Sequence, residues 1–219
     1  VQGARVQQLL RGATDRVRQR FADAHVIGEI YNNSSFNTSP GGIWLDGQYH
    51  EAFKNAIQDA IGAAASGNPD MTRLANSLDG SGIWVDKTHV MNYLELHDVA
   101  WTRRGGQREV RTIDPSSPRD DRCATGRTKL GNGLTLLAQG MPAILMGTEW
   151  LESNGFEPQK IDWSKKNTYR EIFDFYRDVI RLRTQQPEFF ATSPINTFHV
   201  NDGANVLAFE RHIPGAGSY

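Results

Sequence analysis

Residues 89–98 read His89-Val90-Met91-Asn92-Tyr93-Leu94-Glu95-Leu96-His97-Asp98, a mostly apolar run that ends in polar side chains. A short apolar run followed by a polar loop is typical of a buried strand in a parallel sheet. The same pattern occurs at His25–Ile30, which contains Glu29 and leads into a polar run over residues 31–35. Because the carboxyl ends of parallel strands meet at one edge of a sheet, we expect Glu29 and the pair His97–Asp98 to converge there.

Strand-like and helical segments alternate along the rest of the chain. We predict further strands at Gly42–Leu45 and Pro142–Met146, and helices where apolar residues recur at helical spacing, as they do over 6–21, 52–61, 125–138 and 169–182. An opening helix followed by four strand–loop–helix units indicates a parallel α/β arrangement. Four units are too few to close an eight-stranded barrel, so they form either half of one or a small open sheet.

Two segments depart from this alternation. Residues Val99–Arg122 are polar, rich in Arg, Gly and Pro, and without periodicity, which predicts a long loop of functional importance or high mobility. Near the end of the chain, Asn196–Val200 and Asn205–Ile213 flank the turn sequence Asn201-Asp202-Gly203. This pattern predicts a β-hairpin that belongs to a different, antiparallel domain.

Composition and charge exclude some classes of function. The formal net charge is −1 and 22% of the residues are charged, which argues against nucleic acid or a membrane surface as the default partner. No apolar run approaches the roughly 20 residues that span a bilayer. The single cysteine, Cys123, excludes an internal disulfide framework and a zinc site built from several cysteines.

Four parts of the sequence resemble, in the same order, motifs of the α-amylase family of glycoside hydrolases. The first, His25-Val26-Ile27-Gly28-Glu29-Ile30-Tyr31, resembles the third conserved region of that family. The stretch Val90–Asp98 resembles the fourth region, in the form found in glucan branching enzymes. Residues 139–150 resemble the eighth barrel strand, and Lys160–Ser164 with Phe173–Gln186 resemble the loop and helix that follow it.

The resemblance implies a fold and an organisation of the chain. The fold would be an α/β (β/α)8 TIM barrel, of which residues 1–194 carry about strands five to eight with their helices. Residues 195–219 would begin a C-terminal β-sandwich domain. The chain opens on Val1 inside a helical pattern and stops at Tyr219 just after a strand-like segment, so we expect it to be a fragment of a longer protein.

The resemblance also implies roles for individual residues. Glu29 would be the catalytic acid/base, and Asp98 would be the further catalytic carboxylate that grips sugar hydroxyls. His97 would donate a hydrogen bond to a sugar hydroxyl in the same subsite. Tyr31 and Trp101 would bind substrate by stacking on glucose rings, as could Trp44 and Trp150. An α-glucan is therefore the expected partner, with no cofactor and no metal.

One element of the family's machinery is missing from the 219 residues. The attacking carboxylate of the family is an Asp in a Gly-Phe-Arg-x-Asp type motif, and the sequence contains no such motif. Asp15 lies within the helical pattern and is interpreted as a surface residue. We therefore expect the chain to be inactive alone, unless a companion chain supplies the other half of the barrel.

Two functions remain open at this stage. The first is a retaining glycosidase or transglycosidase acting on α-1,4-linked glucans, either an α-amylase-type hydrolase or a branching enzyme. The stretches Glu95–Asp98 and Gly147–Glu152 favour the branching-enzyme side slightly. The alternative is a catalytically inactive half-barrel subunit that binds glucan or a partner chain.

Overall fold

A computed structural model describes residues 2–63, 67–79, 87–113, 122–157, 159–213 and 215. None of the helices within these ranges is long and apolar enough to cross a membrane. Short 3-10 turns occur at Thr102–Arg104, Thr148–Trp150 and Pro187–Phe189. The helices and strands, in chain order, are α1 (Gln2–Arg20), β1 (Ile27–Gly28), α2 (Ser35–Thr38), β2 (Gly47–Tyr49), α3 (Glu51–Ala63), α4 (Met71–Asp79), β3 (Val90–Asn92), α5 (Glu109–Ile113), α6 (Arg122–Leu137), β4 (Met141–Pro142), α7 (Lys165–Thr168), α8 (Arg170–Gln185), β5 (Ile195–Asn201) and β6 (Val206–Arg211).

The first four strands form one parallel sheet in the order β1-β2-β3-β4. Each strand pairs with the next one in the sequence, and helices lie in the connections between them. This confirms the parallel α/β arrangement that the alternation of segments predicts. The strand order is also that of a section of a β/α barrel, in which neighbouring strands are consecutive in the chain.

Two of the strand predictions are wrong in position. The second strand is Gly47–Tyr49 and not Gly42–Leu45, where Trp44 has a left-handed φ of 64°. The strand is polar because the fully buried amide of Gln48 is satisfied by other groups: it donates to the carbonyls of Ile30 and Asn32, each at 2.9 Å. Because β2 is not an apolar run, the apolar pattern of the sequence does not indicate this strand. The fourth strand covers only Met141–Pro142, and the residues after it form no ladder.

The opening helix α1 is correctly predicted, but several of its apolar residues are exposed in the described part of the chain. Leu9 is 73% exposed, and Val6 and Phe21 are also exposed. Polar contacts hold the helix instead. Arg11 and Arg18 both lie over the ring of Trp44, and Arg18 Nη2 donates to Asp46 Oδ1 at 2.6 Å.

The long loop predicted over Val99–Arg122 is in part regular structure. It contains the 3-10 turn Thr102–Arg104 and the helix α5, whose Val110 and Ile113 are buried. The apolar side chains of α5 are too few to produce a helical period in the sequence. Residues 114–121 of the predicted loop lie outside the described residues.

The predicted hairpin is confirmed as the antiparallel pair of β5 and β6. It packs on the helical layer, because Ile195, Leu207 and Phe209 contact the apolar core formed by α3, α4 and neighbouring segments. Asp202 in the turn of the hairpin also caps α4, accepting from Met71 N at 2.7 Å and from the Thr72 hydroxyl at 2.8 Å. A domain boundary at residues 194/195 stays a prediction.

Two buried arginines join α6, α8 and the hairpin, and neither has a carboxylate partner among the described residues. Arg183 donates to the carbonyls of Leu136, Ala138 and Gly140. Arg211 is completely buried and donates to four carbonyls, which belong to Leu137, Phe190, Ser193 and Pro194. Burial, with a smaller effect of the nearby Arg183, lowers the pKa of Arg211 to about 10. The carbonyls at the C-terminal end of a helix have no partner within the helix, and these guanidinium groups supply one.

We predict that Arg211→Met lowers the free energy of unfolding by about 3 kcal/mol, because it leaves several buried carbonyls without a donor. Urea denaturation would measure the loss. The matched control is Arg177→Met, which removes an exposed arginine of α8 and should change the stability by no more than about 0.5 kcal/mol. Equal losses in the two variants would contradict the role given to Arg211.

Candidate active site

Two carboxyl groups meet at the carboxyl edge of the parallel sheet, through the hydroxyl of Tyr31. Glu29 follows β1 directly, and Asp98 lies in the loop after β3. The Tyr31 hydroxyl is 2.9 Å from Glu29 Oε1 and 2.7 Å from Asp98 Oδ2. The two carboxyl oxygens are therefore no farther apart than the sum of these distances. The structure thus brings Asp98 together with Glu29 and Tyr31, although Asp98 follows Tyr31 by 67 residues in the sequence.

The surroundings of Asp98 favour its ionised form. Partial burial would raise the pKa of this carboxyl, but hydrogen bonds from the Tyr31 hydroxyl and from Val99 N, together with the nearby His97, hold the pKa below its usual value. Burial and the hydrogen bond to Asp98 raise the pKa of the Tyr31 phenol. The Tyr31 phenol therefore stays protonated, and its hydroxyl donates a hydrogen bond to the Asp98 carboxylate.

Two further tyrosines, which the sequence analysis did not single out, lie beside this group. The ring of Tyr49 packs edge-on against Tyr31 with centroids 6.2 Å apart, and the ring of Tyr93 lies 5.5 Å from that of Tyr49. The hydroxyl of Tyr93 donates to Glu51 Oε2 at 2.5 Å. Both tyrosines end or directly follow a strand, which is the signal in the sequence that could have identified them.

His97 and Trp101 lie in an aromatic cluster with Phe156, from the loop after β4. The ring of Phe156 is edge-on to His97 at 5.9 Å and to Trp101 at 6.5 Å. Backbone hydrogen bonds join the two loops, from Phe156 N to the Ala100 carbonyl at 2.8 Å and from Thr102 N to the Phe156 carbonyl at 3.2 Å. The loop after β4 thus supports the segment that carries His97 and Asp98.

The predicted stacking platforms do not all present a free ring. Trp44 is covered by Arg11 and Arg18, and Trp150 is buried against Trp163, so the structure contradicts a stacking role for Trp44 and Trp150. Trp101 is partly open, although the guanidinium group of Arg104 lies 4.5 Å over its ring. Tyr31 is 47% exposed and lies at the carboxyl pair itself.

A buried ion pair lies beneath the site. The Glu95 carboxylate accepts hydrogen bonds from Arg108 Nη2 at 2.7 Å, from Glu109 N at 2.5 Å and from the Thr148 hydroxyl at 2.5 Å. Arg108 also donates to the Met146 carbonyl at 3.1 Å. These contacts tie the residues just before His97 to the start of α5 and to the loop after β4.

A second buried carboxyl adjoins this pair. Glu109 accepts from Asn132 Nδ2 at 2.7 Å, while its Oε2 has no hydrogen-bond partner among the described residues. Burial, and next the nearby Glu95 carboxylate, raise the pKa of Glu109 well above its usual value. Arg108 is paired with Glu95, so the surroundings of Glu109 favour its neutral form.

This pKa shift predicts a pH dependence of stability. The folded protein retains a proton on Glu109 that the unfolded chain has lost, so the free energy of unfolding falls as pH rises from the unfolded pKa toward the folded pKa. Glu109→Gln should flatten this fall at pH values above about 4.3, the ordinary pKa of a Glu side chain. The measurement is urea denaturation at several pH values, with Asp178→Asn on the exposed face of α8 as the control. The same slope in wild type and both variants would refute a neutral Glu109.

The described residues contain no group of three or more His, Cys, Asp or Glu side chains that could hold a metal ion.

No family model matches the chain. It is 26% identical over 178 residues to a cyclomaltodextrinase of a Bacillus species, covering 76% of this chain and 27% of that protein. It is 23% identical over 168 residues to a pullulanase of Bacillus subtilis strain 168, covering 65% of this chain and 22% of that protein.

Among solved structures, the cyclic α-maltosyl-(1→6)-maltose hydrolase of Arthrobacter globiformis superposes with a TM-score of 0.72 at 16% identity, covering 95% of this chain and 43% of that one. The chain thus spans about a quarter of the length of its curated relatives. The fold is consistent with a section of the β/α barrel of these enzymes. These homologues and structural neighbours are members of the α-amylase family, glycoside hydrolase family 13, and the resemblance to that family is confirmed.

Proposed function

We propose that the chain carries the proton donor and the substrate-gripping carboxylate of a retaining α-glucan hydrolase. The observation that supports this most directly is the Tyr31 hydroxyl, within hydrogen-bond distance of both Glu29 and Asp98 at the carboxyl edge of the sheet. Active sites of β/α barrels lie at this edge. In a retaining glycosidase the proton donor acts with an attacking carboxylate about 5 Å away, which the proposal assigns to additional polypeptide and not to Asp98.

The two carboxyls have different roles in the proposal. Glu29 delivers a proton to the glycosidic oxygen as the bond breaks, and later removes a proton from the attacking water. Asp98, which is ionised, accepts hydrogen bonds from sugar hydroxyls and stabilises positive charge that develops at the anomeric carbon. His97, supported by Phe156, donates to a sugar hydroxyl, while Tyr31 and Trp101 line the subsite.

The attacking carboxylate and four further strands are proposed to come from additional polypeptide, in the same chain or in a companion chain. Four consecutive parallel strands occupy half of an eight-stranded barrel. The sequence has no Gly-Phe-Arg-x-Asp type motif, and Asp15 is paired with Arg11 on α1. Residues 1–194 are accordingly proposed as the C-terminal half of the barrel, and residues 195–219 as the start of a β domain.

Hydrolysis of α-1,4-linked glucans is proposed ahead of branching. The relatives named above are a cyclomaltodextrinase, a pullulanase and a cyclic α-maltosyl-(1→6)-maltose hydrolase. Their names favour a hydrolase, although the motif Glu95–Asp98 resembles that of branching enzymes. The two reactions share one covalent intermediate and differ in whether water or a sugar hydroxyl attacks it.

A second candidate function is glucan binding without cleavage. It is favoured by the state of Glu51, the further carboxylate near the site, which is held by Lys54 Nζ at 2.6 Å and by the Tyr93 hydroxyl. Glu51 lies in the first turn of α3, and both of its carboxylate oxygens are engaged in these contacts. The chain would then bind α-glucan at its open edge and depend on other polypeptide for turnover.

The acid role of Glu29 predicts a dependence on the leaving group. In the complete polypeptide, Glu29→Ala should lower kcat on maltooligosaccharides by about 100-fold or more, because the departing oxygen is no longer protonated. The kcat/KM for α-maltosyl fluoride should fall far less, because it reports the first step, in which fluoride leaves without a proton.

Steady-state kinetics on both substrates test this, with Glu210→Ala on the distant hairpin as the control. Equal losses on both substrates would exclude Glu29 as the acid. Wild-type protein that binds maltooligosaccharides but cleaves neither substrate would support the second candidate function.

Asp98→Asn should lower kcat/KM on maltooligosaccharides by about 100-fold, because the amide carries no negative charge to stabilise the transition state. The melting temperature should change little, since Asp98 is partly exposed. Kinetics and thermal unfolding of this variant are compared with those of Asp59→Asn on α3, which should match the wild type. A large drop in melting temperature with unchanged kinetics would show that Asp98 is structural.

A further inference from the structure

We propose that Phe156 is a specificity-determining residue, whose ring binds a further glucose unit of an α-glucan next to the unit held at Glu29 and Asp98. This role rests on the proposed function for the class of substrate. It adds a contact that the two carboxyls do not supply, and it makes the site prefer longer glucans over a single sugar.

Phe156 lies at the carboxyl edge of the sheet, in the loop after β4. Backbone hydrogen bonds join its segment to the loop after β3, which belongs to the neighbouring strand of the sheet. The ring contacts described for Phe156 are with His97 and Trp101 of that loop. Since His97 directly precedes Asp98 in the chain, the Phe156 ring lies beside the carboxyl pair and is not part of it.

The loop that presents Phe156 is held in place by a buried carboxylate. Glu152 is 1% exposed, and its Oε1 accepts from Lys165 Nζ at 2.6 Å. It also accepts from three backbone N–H groups at 2.7, 2.8 and 2.5 Å, those of Ser153, Asn154 and Asp162. A loop that is already ordered loses little conformational entropy when it binds a ligand. The Phe156 ring therefore has a defined position before any glucan arrives.

The loops after β3 and β4 approach each other more closely than a side chain would allow. A Cβ atom added at Gly155 would lie 1.8 Å from Thr102 Oγ1, so this contact requires a glycine. The N–H of Gly155 donates to Gln159 Oε1 at 3.0 Å. The backbone just before Phe156 is thus fixed by contacts to both loops, which keeps the ring beside His97.

The Phe156 ring is suited to the face of a sugar. It is 39% exposed although the side chain has no polar atom, whereas Trp101 is less open and has the Arg104 guanidinium over its ring. A pyranose ring has C–H groups on its faces and hydroxyls at its edge, so it fits an aromatic ring next to hydrogen-bonding groups. With one sugar at Asp98 and His97, a neighbouring sugar of the glucan meets Phe156.

A role in which Phe156 only supports His97 makes a different prediction. Loss of that support would lower the turnover of every substrate by a similar factor, because His97 lies beside Asp98. A contact to a further sugar changes only those substrates that have one. α-Glucosyl fluoride carries a single sugar, whereas maltoheptaose extends well beyond it, so the two substrates separate these roles.

The test measures kcat/KM on both substrates for variants of the complete polypeptide. Phe156→Ala should lower kcat/KM on maltoheptaose by about tenfold, because an aromatic contact to the glucan is lost. It should change kcat/KM on α-glucosyl fluoride by less than about twofold. Phe156→Tyr keeps the ring and should stay within about twofold of wild type on both substrates. The control is Phe198→Ala, which removes an exposed ring of β5 and should match the wild type.

Equal losses on the two substrates would overturn the proposal, because Phe156 would then act only through His97. An unchanged kcat/KM on maltoheptaose in Phe156→Ala would overturn it as well. Thermal unfolding of each variant shows whether the fold is retained. If Phe156→Ala melts at a lower temperature than wild type, Phe156→Leu fills the space without an aromatic ring and should show the same selective loss on maltoheptaose.

Calorimetric titration with maltoheptaose separates this proposal from the proposed function. In a Glu29→Ala background, which prevents turnover, Phe156→Ala should raise the Kd by about tenfold. The same rise with a wild type that binds but does not cleave would contradict the proposed hydrolysis and support the contact. Cleavage by wild type with a Kd that Phe156→Ala leaves unchanged would contradict the contact alone. A wild type that does not bind maltoheptaose would contradict both.

Discussion

Glu95 lies two residues before His97, fully buried, and its carboxylate is bound by Arg108, the N–H of Glu109 and the Thr148 hydroxyl. Removing two charges from water is costly, and it is offset here by a charge-assisted pair with further hydrogen bonds. These contacts fix the position of the loop that carries His97 and Asp98. The segment of Glu95, the start of α5 and the loop after β4 all meet at one carboxylate, which holds the beginning of that loop above the sheet.

Buried ionisable groups of different chemistry lie at the two ends of the sheet. Two acids, Glu95 and Glu109, lie with Arg108 beyond the carboxyl ends of the strands, beneath the candidate active site. At the other end, just before β4, the buried charges are the arginines 183 and 211, which bind carbonyls. In β/α barrels the carboxyl edge carries function and the opposite edge carries stability. The chemistry of the two clusters follows this division, since only the acidic one is connected to catalytic candidates.

The sequence predicts those features that depend on neighbours in the chain. A polar residue after an apolar strand places Glu29 and Asp98 at one edge, and the turn signal at Asp202 predicts the hairpin. Features that depend on residues distant in the chain cannot be predicted from the sequence in this way. Gln48 is polar and yet lies in the sheet, because the carbonyls around Tyr31 satisfy it. An arginine such as Arg211 is usually expected at the surface. Only the folded backbone shows the four carbonyls that accept its hydrogen bonds in the interior.

The two sides of the site are held independently of each other. On one side, Gln48 binds the carbonyls of Ile30 and Asn32, which flank Tyr31 and fix its backbone. On the other side, Glu95 fixes the segment before Asp98. The Tyr31 hydroxyl joins the two sides, but the hydrogen bonds that hold each side do not involve it. Under the proposed function, its hydrogen bonds would be exchanged for those of a sugar hydroxyl between two carboxyls whose backbone segments are held by other contacts.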